Sequence, residues 1–86
     1  MNIYVGNLDF KVKENDLKHL FEDFGEVSTA KIIIDKYNGT SKGFGFVVMD
    51  AKDEAQKAID KLNGSNFQNR DIVVNEARPK KKSFYI

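Results

Sequence analysis

The sequence predicts an α+β fold in which two helices lie on one face of a four-stranded antiparallel sheet. Two segments carry apolar residues at helical spacing, Leu17/Leu20/Phe21/Phe24 and Ala55/Ala58/Ile59/Leu62. Four β-rich runs surround them, giving the order βαββαβ. The chain has 86 residues, enough for one domain with one core. Each helix has a single apolar stripe, so both bury it against the same sheet face. No third helix remains for the other face.

The elements follow in order. Ile3-Tyr4-Val5 is a short β run ended by the turn pair Gly6-Asn7. The first helix covers about residues 14–24, and Gly25 stands where a chain leaves a helix. Val27 to Asp35 is β-branched and reads as the second strand. Residues 36–42 form a loop around Asn38-Gly39, and Gly43–Asp50 is the third strand. Asp50 is the expected cap of a second helix over about 52–62, which ends at Asn63-Gly64. Phe67 and Arg70 flank a short turn before a last strand, Asp71–Glu76. This order is the ferredoxin-like arrangement of two similar halves.

Composition narrows the function. There is no Cys and one His, His19, so a thiolate metal site, a disulfide or a histidine-based catalytic cluster has no material. No enzyme chemistry, metal or cofactor is expected. The apolar runs are too short to span a membrane, and the N-terminus has no basic region or cleavage site. A cytoplasmic setting and a monomer are expected. Arg78, Lys80, Lys81 and Lys82 make the end of the chain basic. Without them, residues 1–77 hold 10 basic and 13 acidic residues, a net of −3. Global charge therefore argues for no particular partner, and the case rests on where residues point.

The stretch Lys42-Gly43-Phe44-Gly45-Phe46-Val47-Val48-Met49 supplies that direction. Phe44 and Phe46, two apart, share one face of a strand, while Gly45, Val47 and Met49 share the other. Aliphatics suit a helix–sheet core, so Val47 and Met49 are assigned inward and the two Phe rings outward. Gly45 is expected to let a helix approach closely.

This octamer resembles that of the RNA recognition motif family, K/R-G-F/Y-G/A-F-V-x-F/Y, at seven of eight positions. The eighth, Met49, points to the core and fills volume there. Ile3-Tyr4-Val5-Gly6-Asn7-Leu8 matches the family's hexamer, with Tyr4 as its outward ring. The resemblance covers about residues 2–78, leaving 79–86 as a basic tail expected to be disordered. Lys13 departs from the family, which often caps the first helix with Ser or Thr. A short single copy is similar to the stand-alone bacterial members.

The resemblance implies a single-stranded RNA-binding protein, a post-transcriptional regulator or RNA chaperone, with two or three bases stacked on sheet aromatics. Tyr4, Phe44 and Phe46 are the expected rings. Lys42 and Lys31, from the strand faces beside them, are expected to meet phosphates or base edges. Ile72 and Val74 suit the core, which turns Val73 and Asn75 outward. The resemblance adds Asn75 and Arg78, and less strongly Glu76, as contacts at the sheet edge. Single-stranded DNA remains an alternative, because stacking ignores the 2′-hydroxyl. A peptide-binding module on the same face is another, and the rings could instead be covered by the tail or a second copy.

Overall fold

The computed structural model describes residues 1–77. Its elements are β1 (Asn2–Gly6), α1 (Glu14–Glu22), β2 (Thr29–Ile34), β3 (Ser41–Val48), α2 (Lys52–Leu62), β4 (Asn66–Phe67), β5 (Arg70–Asp71) and β6 (Val73–Glu76). The main sheet is antiparallel with order β2-β3-β1-β6, and β4 and β5 form a separate two-stranded hairpin. This is the ferredoxin-like βαββαβ fold with both helices on one face.

Alternation along the strands builds the core. Ile3, Val5, Val47, Met49 and Val74 are fully buried beneath Leu17 and Phe21 of α1 and Ala55 and Ala58 of α2. Leu20, Phe24 and Ile59 pack at its margin. Among the described residues no polar or charged side chain is buried, so cohesion comes from apolar area removed from water.

Several expectations change in detail. The residue capping α2 is Ala51, and Asp50 instead accepts a hydrogen bond from the Ser28 hydroxyl at 3.0 Å. At the start of α1, Asp16 reaches back to accept the Lys13 N–H at 3.0 Å, which offsets the missing Ser or Thr cap. The tightest neighbour of Gly45 is a strand. A Cβ there would strike the Lys31 carbonyl oxygen and lie 3.2 Å from Ile32 Cα, on the adjacent β2. That pairing is irregular between Ile32 and Ile34. The last expected strand divides at Ile72, whose N–H and carbonyl bond to Ser65 and Gly64, while Asp71 joins the β4–β5 hairpin that Gln68 and Asn69 close with left-handed φ values of 48° and 71°.

No helix among the described residues is long and apolar enough to cross a membrane. Arg78 and the tail at 79–86 lie outside the described residues.

Candidate nucleic-acid interface

Register places the site. Lys31 pairs with Phe46, Phe46 with Tyr4, and Tyr4 with Asn75. These four residues form one row across all four strands. Neighbours in that row share a face, and the adjacent row of Val74, Val5, Gly45 and Ile32 is buried in the core. The row Lys31–Phe46–Tyr4–Asn75 therefore stands on the face that the helices leave open.

Phe44 joins this face from one step along β3. Tyr4 lies 5.9 Å from both Phe44 and Phe46, centroid to centroid, and the two Phe rings are 6.3 Å apart and near perpendicular at 89°. Rings at such spacings attract each other through edge-to-face and tilted contacts. The three are half-buried, mainly against one another, and keep part of their area in water. Gly6 seats Tyr4, because a Cβ on Gly6 would come within 2.8 Å of the Tyr4 ring carbons. The ring thus runs along β1 toward Asn7.

A second row lies beyond Phe46. Thr29 pairs with Val48 and Val48 with Asn2, whose carbonyl accepts the Ala77 N–H at 2.8 Å. With Lys31 and Phe46 these residues bound a shallow, mostly apolar depression of about 250 Å³. Sequence reasoning passed over it, although the signal was present. Val48 has the parity of Phe46, Asn2 that of Tyr4, and Thr29 that of Lys31.

The remaining candidates separate. Lys31 and Asn75 are exposed in the ring row. Among the described residues Lys18 pairs with Glu22 and His19 lies 4.0 Å from the same carboxylate, while neither Lys31 nor Lys42 has a carboxylate within 4.0 Å. Lys42 stands at the start of β3 with Ile33, Lys36 and Tyr37, around a concavity at the β2–β3 loop. Glu76 leaves the group. It pairs with Ile3, a core residue, and so starts from the helix-side face. Arg78 lies outside the described residues.

Asp35 lines the concavity beside Lys42, while the helical acids sit elsewhere. Glu14, Asp16, Glu22, Asp53, Glu54 and Asp60 belong to the two helices, behind the sheet. Glu14 also has a structural task, accepting the outward Ile32 N–H of edge strand β2 at 3.3 Å. Among the described residues no group of three or more His, Cys, Asp or Glu side chains could hold a metal ion.

Comparison with known proteins identifies the family. The RNA recognition motif model matches residues 3–73. RbpA of Synechocystis sp. is 41% identical over 80 residues, which cover 93% of this chain and 79% of RbpA. The 29 kDa chloroplastic ribonucleoprotein of Arabidopsis thaliana is 45% identical over 84 residues, 95% of this chain but only 25% of that protein. Among solved structures, RNA Binding Protein PG1 aligns with a TM-score of 0.88 at 46% identity, over 93% of this chain and 99% of PG1. A Sxl-lethal protein/RNA complex aligns with a TM-score of 0.87 at 33% identity, over 95% of this chain and 49% of that one. With two sequence motifs, the four-strand order and the family model in agreement, the chain belongs to the RNA recognition motif family.

Proposed function

We propose that this chain binds single-stranded RNA across the open face of its sheet, stacking bases on Tyr4, Phe44 and Phe46. The observation that carries the reading is the ring cluster set in the row Lys31–Phe46–Tyr4–Asn75, on the face without helices. Bare rings in a patch are an aggregation hazard unless a partner uses them. Unpaired nucleobases are suitable partners, because each has a flat apolar face. A stacked base contributes about 1–3 kcal/mol, so three give roughly 3–9 kcal/mol before the strand's lost freedom is subtracted. Affinity of about 1 μM needs about 8 kcal/mol net, so stacking must be joined by phosphate and base-edge contacts to reach it.

Lys31 flanks one end of the ring row and Asn75 the other. In this reading Lys31 meets a phosphate and Asn75 a base edge. Lys42 supplies charge near the β2–β3 loop, and Arg78 continues the chain one residue past Ala77. The depression beside Phe46 takes the edge of a stacked base against Val48 and Thr29. Binding and not catalysis is the role, in the cytoplasm, as a post-transcriptional regulator or RNA chaperone. Named RNA-binding relatives and the RNA complex among the structural neighbours support the choice of RNA over peptide.

The test is a titration of mixed-sequence RNA hexamers into the wild type and the double variant Phe44→Ala/Phe46→Ala. Binding by the wild type with loss in the variant supports stacking. Equal affinity of two folded proteins refutes it. Repeating the titration with DNA hexamers of the same composition measures how much the 2′-hydroxyl contributes.

A further inference from the structure

We propose that Arg70, seated on Phe10 and tethered by Asn7, is a phosphate-binding site for the same nucleic-acid strand, beyond the end of the ring cluster. The proposal rests on the stacking platform and extends it past the sheet.

Three features assemble the site. Asn7 follows β1 with a left-handed φ of 56°, a conformation Asn tolerates better than most residues. Its amide then spans two elements. The Nδ2 group donates to the Asp71 carbonyl at 2.8 Å, and Oδ1 accepts from Arg70 Nη1 at 3.0 Å. The end of β1 is thereby clamped to the β4–β5 hairpin. On its other side the Arg70 guanidinium stands 6.0 Å from the Phe10 ring centroid, within cation–π range. Phe10 is 66% exposed, a large apolar side chain that the core does not use.

Both routes from the ring cluster end at this arginine. Tyr4 runs over Gly6, and Asn7 comes next in the chain. Phe44 follows Gly43, where a Cβ would lie 3.8 Å from the Phe10 ring. Arg70 is therefore the first fixed cation that a strand meets on leaving Tyr4 and Phe44 in this direction.

Its chemistry fits a phosphate. A guanidinium offers five N–H donors in a planar fork that matches phosphate oxygens. Asn7 occupies one nitrogen, and among the described residues no carboxylate lies within 4.0 Å of Arg70. The Asp71 carboxylate beside it in the chain accepts from Asn66 Nδ2 at 3.4 Å instead. Seated on a ring and held by an amide, the side chain has already lost much of the freedom that binding would otherwise remove.

The test compares mixed-sequence RNA trimers and octamers on the full chain, from 50 to 200 mM salt. Trimers are short enough to lie on the rings alone, and octamers extend past them. Arg70→Gln is expected to weaken octamer binding about tenfold. It is also expected to flatten the salt slope by about 0.7. Trimer affinity stays within about twofold of wild type, and Arg70→Lys recovers the slope but only part of the affinity. Phe10→Ala reproduces part of the octamer loss. Unchanged octamer affinity and slope in Arg70→Gln overturns the proposal while leaving the platform intact. An equal loss of trimers and octamers with a lowered melting temperature also overturns it, assigning Arg70 to fastening the hairpin. If wild type binds neither oligomer, the platform itself fails and this site falls with it.

Discussion

Strand β3 shows two apolar faces with opposite duties. On one face Val47 and Met49 are fully buried beneath the helices. On the other, Phe44 and Phe46 are half-buried and touch Tyr4 and each other. The same backbone holds both sets in register, yet burial separates them. The inner face supplies stability, because its apolar area leaves water on folding. The outer face leaves part of its area wet, and that is the apolar surface the proposed stacking uses. Hydrophobic content therefore does not tell core from open face, and coverage by the helices does.

This contrast predicts different responses to truncation. The largest effect belongs to the inner layer. Phe21→Ala, a fully buried site, is expected to lower stability by about 3–5 kcal/mol, seen as an early denaturant midpoint. Loss on that scale is a large part of the total stability of a small domain. Next comes the outer layer, where Phe46→Ala is expected to lose about 1–3 kcal/mol of RNA affinity. Its melting temperature should remain near wild type, since the ring is only half-buried. If Phe46→Ala instead unfolds the protein without a separable binding defect, the division between the faces breaks down.

Two finer changes sharpen it. Gly6→Ala places a methyl where the Tyr4 ring lies, and is expected to remove about 1 kcal/mol of affinity by moving that ring. A parallel shift in the Tyr4 ring resonances would identify the cause. The smallest effect is expected at Lys31. Lys31→Ala should flatten the salt dependence of RNA binding by about 0.7 in log–log slope, one phosphate contact's worth.

Much of this architecture was legible in the chain. Period-2 and helical spacings placed both helices and all four main strands, because each element has one clear apolar stripe. The opposite directions of Val47 and Phe46 followed from parity alone. What parity could not supply was the partner across the strand. The row linking Lys31, Phe46, Tyr4 and Asn75 needs three separate registers, and these depend on loop geometry. Glu76, by contrast, shares the parity of Ile72 and Val74, so alternation alone already puts it on the helix side, where its pairing with Ile3 also sets it. At Gly45 the tightest constraint is the backbone of β2 across the pair, which parity along one strand does not reveal. Arg70 was legible only as a turn residue. Its contacts with Asn7 and Phe10 join positions about 60 residues apart and have no local signature.

The most direct measurement is an NMR titration that follows the ring protons of Tyr4, Phe44 and Phe46 as short single-stranded RNA is added. Stacked bases shield these protons, so large upfield shifts at all three rings are predicted, while the buried Phe21 ring barely moves. Saturable RNA binding that leaves the three sheet rings unshifted, or shifts only helix residues, would contradict the account.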